Sequence, residues 1–249
     1  MKTKLLLLSL LAGFGLNCLM LNSKAEQSQH DDATRVELGV MTERQREHSK
    51  LYKKYGSNRK IPELILSQTG EIQVYRLVPL IADLEGSQQS SQERLRQIIC
   101  TADTVVIGVV KSKTSQLTED QSFVFTDYEL SIEEVLKNSS PTSLATNDDI
   151  TVTRPGGNIL LSGRKVKALD ELFPLLSSGK RYLLFLDPVP TVNTYRSIES
   201  GETFLLQRSK ARILKEDALG RLSKEQDTAF LINEIRIQAA QPCDEKKAR

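Results

Sequence analysis

The sequence predicts a mainly β fold with flanking helices, in which a closed β-barrel of five or six strands is followed by a C-terminal helix. Three observations predict it. Val105 to Val110 and Arg181 to Leu186 are apolar on both faces, as central strands are. Val124, Thr126, Tyr128, Leu130 and Ile132 alternate with Phe125, Asp127, Glu129, Ser131 and Glu133, which reads as one long strand that must curve to stay within a small domain. Shorter apolar runs follow at turn-punctuated spacing, a pattern that suits a barrel better than an open sheet.

Composition agrees with a globular chain. Of 249 residues, 39% are hydrophobic, 27% charged and 5% aromatic, with no tryptophan, so the core must be built from Leu, Ile and Val. Lys2 and Lys4 precede the apolar run Leu5 to Leu16, and Ser23-Lys24-Ala25 gives the small-x-small pattern of a signal peptidase site, so residues 1–25 read as a signal peptide. An uncleaved anchor over Leu5 to Leu21, or lipidation at Cys18, are the alternatives. Removing the leader takes three of the 34 basic residues and none of the 32 acidic ones, which leaves a net charge of −1. That argues against a nucleic-acid partner held by bulk charge. The expected location is exported: periplasmic, cell-surface or secreted, with no stable membrane span after cleavage.

Taken in order, residues 26–60 are a polar, partly helical extension, and its histidines His30 and His48 read as solvated, without metal-ligand spacing. Residues 61–99 lead into the barrel. Glu63 to Leu66 and Ile72 to Val78 flank Thr69-Gly70 as a strand pair, and Ser90 with Glu93 forms the capping box of a short helix buried through Leu95, Ile98 and Ile99. Residues 100–215 are the barrel. Gly108 marks a bulge or sharp bend in its first strand; Asn147 to Asp149 turn into a strand at Ile150 to Thr153; further strands fall at Lys165 to Leu169, Tyr195 to Ile198, Thr203 to Gln207 and Ala211 to Leu214. Residues 216–249 hold a helix capped by Ser223 and Gln226, packed through Phe230, Leu231, Ile235 and Ile232, and a tail. In an exported chain Cys100 and Cys243 form an even pair, expected to be a disulfide, with two buried thiols, or one buried and one exposed near the tail, as the alternative.

Cys100-Thr101-Ala102-Asp103 before the first barrel strand, the Tyr128 to Lys137 run, and Gly179-Lys180-Arg181-Tyr182 entering a late strand together resemble the netrin-like module of tissue inhibitors of metalloproteinases, netrins and complement components. The likeness spans residues 100 to 210. It implies an OB-type five-stranded barrel used as a scaffold for binding macromolecules. The inhibitors chelate the protease zinc with a cysteine that begins the mature chain; Cys100 lies far from the mature start, so that mechanism does not carry over. Asn138 also stands where a Gly usually follows Lys137.

The chemistry-bearing residues point the same way. No Gly-x-Ser-x-Gly elbow, phosphate loop or dinucleotide fingerprint occurs. Asp127, Glu129 and Glu133 share a strand face that reads as a solvated acidic stripe. The expected function is non-catalytic binding of another protein or an envelope component, with no cofactor and no metal. The contact surface expected is the outer strand face around Phe123, Phe125 and the basic residues Arg154, Lys165, Lys167 and Arg181. An uncharacterised hydrolase and an oligosaccharide- or anion-binding OB module are the rival readings.

Overall fold

The computed structural model describes residues 33–56, 59–76, 90–191, 193–198, 202–214 and 224–243. The expected leader, His30 and Ser223 lie outside them. The chain runs β1 (Thr34–Val36), α1 (Glu43–Tyr52), α2 (Ile61–Ser67), β2 (Ile72–Tyr75), α3 (Ser91–Thr101), β3 (Thr104–Leu117) and β4 (Val124–Asn138). It continues β5 (Asp149–Pro155), β6 (Gly157–Leu161), β7 (Arg164–Leu169), β8 (Arg181–Pro188), β9 (Thr194–Ser197), β10 (Thr203–Leu206), β11 (Lys210–Ile213), β12 (Glu225–Asp227) and α4 (Thr228–Ala239).

The protein is mainly β. A large sheet has the order β12-β11-β10-β8-β3-β4-β5-β9, and β9 pairs with β8 as well as with β5. Only the β5–β9 ladder of this sheet is parallel. A smaller sheet, β1-β6-β7-β2, lies in parallel register at its two ends, where β1 meets β6 and β2 meets β7. The first half of β3, from Thr104 to Val110, is covered on both faces, and its consecutive side chains, pointing to opposite sides, enter two different cores. Val105 and Ile107 pack with Leu183, Phe185, Phe204, Leu231 and Ile235 under α3 and α4, while Val106 and Val110 pack with Tyr128, Leu130, Ile150 and Leu184. A third cluster under the small sheet joins Val36, Ile61, Ile72, Leu117, Phe123 and Ile159.

The irregularity expected at Gly108 lies on the partner strand: the β3–β4 register shifts between Ile107, which faces Glu134, and Gly108, which faces Ile132, so the extra residue is Glu133 of β4. A Cβ on Gly108 would sit 2.7 Å from the Ser131 carbonyl, so the strands approach there as only glycine allows. Asn147 is in the left-handed region (φ 70°), as the turn before β5 requires. The capping box of Ser90 and Glu93 starts α3.

Two elements differ from expectation. Glu63 to Leu66 belong to helix α2, not to a strand. Pro62 sits in its first turn, where a proline is well tolerated, and the apolar residues that count are Ile61, Leu64 and Ile65, at helical spacing. Their contiguity with Leu66, which is 88% exposed, mimics a strand run. Strand β2 pairs instead with β7. The last helix starts at Thr228, capped by Asp227 accepting from the Phe230 amide at 2.8 Å. That start turns Phe230 outward and buries Thr228, Leu231, Ile232, Ile235 and Gln238.

Cys100 and Cys243 form a disulfide with Cα atoms 5.6 Å apart, closing a sequence separation of 143. Arg96 of α3 reinforces it, donating to Gln241 Oε1 at 2.8 Å and to the Pro242 carbonyl at 2.6 Å. Among the described residues no helix is long and apolar enough to cross a membrane.

Candidate functional site

The polar extension is fastened to the large sheet. Thr42 and Gln45 form a capping box that starts α1. The helix then presents Arg44, His48 and Tyr52, four residues apart, to Glu129, Asp127 and Phe125, two residues apart on β4 and running the opposite way. The repeats match, since four helical residues rise about 6 Å and two strand residues about 6.6 Å. Arg44 Nη2 donates to Glu129 Oε1 at 3.0 Å. His48 is fully buried, with Nδ1 2.9 Å from each carboxylate oxygen of Asp127. Tyr52 stacks on Phe125 with ring centroids 5.6 Å apart. The reading of His48 as solvated, and of Asp127 as part of an exposed stripe, is therefore corrected. Strand parity placed Asp127 on the face away from Tyr128, but parity does not reveal that a helix covers that face.

Phe123 and Phe125 do not form a contact surface. Both are fully buried; Phe125 lies under Tyr52 and Phe123 under Tyr55, at 6.2 Å between ring centroids. The basic residues named with them do not converge either. Lys165 is exposed and Lys167 half-buried on the small sheet, alternating with buried Val166 and Ala168. Arg181 pairs with Glu133 at the surface. Arg164 is spent on structure, donating to the carbonyls of Ile65, Gln68 and Gly70 at the end of α2.

Arg154 is inside. It faces Thr126 across the β4–β5 ladder, on the side of Tyr128 and Val152, and is 1% exposed. Its Cζ lies 5.5 Å from the Phe173 ring centroid. Arg76 approaches the same ring at 6.0 Å, stacks over Tyr55 at 3.8 Å, and donates to Asp170 Oδ2 at 2.8 Å. Burial pushes the Arg154 guanidinium below its usual value, against the pull of Tyr128, Tyr52, Tyr182 and Asp170. Burial also pushes the hydroxyls of Tyr52 and Tyr128 up. No spacing in the sequence marks Arg154 as an interior residue. The one signal is that it shares strand parity with Ile150 and Val152.

The surface offers a groove of about 160 Å³ where the β1–α1 loop meets the tip of the β3–β4 hairpin. Val36 to Met41 form one wall and Gln116 to Glu119 the other, with Arg46 and Gln121 at the sides. Leu38 and Val40 on the first wall are 48% and 65% exposed. Sequence reading missed this groove although it borders the same hairpin as Phe123, because the loop residues carry no periodicity. Among the described residues no cluster of His, Cys, Asp and Glu could hold a metal ion. No family model matches the chain, and no curated protein matches it.

Proposed function

We propose that this is an exported, non-catalytic interaction module, built on an OB-type barrel and acting at the cell envelope or outside the cell. The observation that carries the reading is the groove beside Leu38 and Val40: exposed aliphatic side chains on a loop anchored by β1 and by the capping box of α1, flanked by Glu37, Arg46 and Glu119. Such a concave site, with exposed aliphatic side chains and charged residues around it, suits a protein segment that inserts an aliphatic anchor. The disulfide supports the location, because such bonds persist in oxidising compartments. The barrel reading is supported by β9, which pairs with β5 on one side and β8 on the other, so that β3, β4, β5, β9 and β8 follow one another back to β3. The three netrin-like segments lead into or lie on β3, β4 and β8, which are direct neighbours.

A photoreactive amino acid placed at Leu38 or Val40 in the native host tests the reading. Both positions are expected to cross-link the same envelope or extracellular protein, whereas Tyr75, exposed at the opposite edge of the small sheet, is expected not to. Equal capture from all three positions, or a mature chain confined to the cytosol, would overturn it.

A further inference from the structure

The outer half of β3 has one open side. Its inner half pairs with β8 from Thr104 to Val109, and Val110 is bonded through its main chain to Gly179 and Lys180. Beyond that point, from Ser112 to Leu117, the strand pairs with β4 on one side, and among the described residues no strand pairs with the other. The ladder fixes which groups face the open side. Thr118 donates its amide to the Phe123 carbonyl at 2.9 Å, so Thr118 and Gln116 turn their main-chain groups towards β4, and Leu117 and Ser115 turn theirs away. The Ser115 amide accordingly donates to Thr34 Oγ1 of β1 at 3.0 Å. Leu117 lies two residues on, where it lines the groove opposite Val36. Its amide and carbonyl face that opening.

The facing wall is preformed. Glu37 to Val40 make a tight turn, with the Val40 amide 3.3 Å from the Glu37 carbonyl and Gly39 in the left-handed region (φ 80°), and this turn carries the exposed Leu38 and Val40. A volume of about 160 Å³ suits one aliphatic side chain and is small for a drug-sized molecule. Of the charged residues on the lining, Arg46 lies 2.6 Å from Glu43 and 3.7 Å from Glu119, whereas Glu37 makes no ion pair among the described residues. We propose that the groove takes an extended peptide segment of a partner protein, which lays its backbone along the open side of β3 at Leu117. One aliphatic side chain of that segment sits beside Leu38 and Val40, and a Lys or Arg two residues away, on the same face, meets Glu37. This rests on the interaction reading and gives the partner its chemistry.

Short random linear peptides displayed on phage, panned against the protein, are the probe. Selected peptides are expected to share an aliphatic residue two positions from a Lys or Arg, and to bind Val40→Asp about tenfold more weakly than wild type. Val40 is 65% exposed, so that variant keeps the fold. N-methylation of the peptide amides that face β3 is expected to weaken binding about three- to tenfold, and methylation of the amides between them to have little effect. The Leu117 amide is expected to exchange with solvent more slowly in the complex. Binding indifferent to which amide is methylated, or an unchanged Leu117 exchange rate, would overturn strand addition while capture at Leu38 and Val40 judges the interaction reading separately. Selection of no peptide that distinguishes wild type from Val40→Asp would overturn the proposal as well.

Discussion

The imidazole of His48 meets the carboxylate of Asp127 with Nδ1 2.9 Å from both oxygens, in a contact from which solvent is nearly excluded. The pair joins α1 to β4, elements whose sequences are 79 residues apart at this point. Removing one partner leaves the other buried and unmatched. His48→Ala is therefore expected to cost about 3–5 kcal/mol in urea unfolding. A loss below about 1 kcal/mol, the range of an exposed pair, would show that the contact does not fasten the helix.

The same helix supplies an internal contrast. Arg44 and Glu129 are 49% and 38% exposed at the side chain, so Arg44→Ala is expected to change stability by no more than about 1 kcal/mol. Tyr52 is 4% exposed and stacked on Phe125, so Tyr52→Ala is expected to cost about 3–5 kcal/mol. Chemical denaturation of the two variants side by side reads the gradient. Equal effects would mean that α1 is held by something other than this ladder of contacts.

Gly108 tests the bulge. A methyl group there meets the Ser131 carbonyl at 2.7 Å and the Leu130 side chain at 2.8 Å. Backbone cannot yield as a flexible side chain would. Gly108→Ala is expected to lower stability by about 1–3 kcal/mol, measured by thermal melting.

The turn at the tip of the β3–β4 hairpin predicts an acid response. Partial burial pushes the Asp120 carboxyl up, but hydrogen bonds from Thr118 Oγ1 at 2.6 Å and Ser122 Oγ at 2.8 Å outweigh it and hold the group below the usual aspartate value. The unfolded chain therefore takes up a proton first as pH falls. The stability this turn contributes is complete above the ordinary aspartate value and is lost as pH drops through the lowered one. Stability measured against pH is expected to fall less steeply below pH ~4 in Asp120→Asn than in the wild type. Parallel curves would refute the assignment.

Breaking the Cys100–Cys243 bond, by reductant or by Cys100→Ser, is expected to cost about 2–5 kcal/mol, read as a lower melting temperature. Peptide mapping of the protein without reductant should return the two cysteines linked. Free thiols at both positions would contradict the structure.

The main strands were legible because their signals are local. The two-faced apolar run of Val105 to Val110, the alternation from Val124 to Ile132 and the lone glycine at 108 each report a property of the strand itself. The start of α3 was legible for the same reason, since Ser90 and Glu93 are three residues apart. What was missed depends on partners distant in sequence. Glu63 to Leu66 reads equally well in either period until Ile61 is seen to be the buried anchor. Asp127 reads as solvated until α1 lies over it. Phe123 and Phe125 read as an exposed face for the same reason, and Arg154 reads as surface until the segment carrying Asp170 and Phe173 comes to sit beside it. The groove at Leu38 and Val40 belongs to a loop, where side-chain direction is not fixed by any repeat.

The covalent link between α3 and the residues after α4 also decides how the molecule bears load. A pull applied at the carboxyl end passes through Cys243 to Cys100 and so to the helix immediately before β3. The terminal helix is bypassed and cannot peel away first. Whatever is tethered at that end tugs directly on the central strand of the sheet, giving the protein a mechanically stiff attachment point on the side that carries α3 and α4.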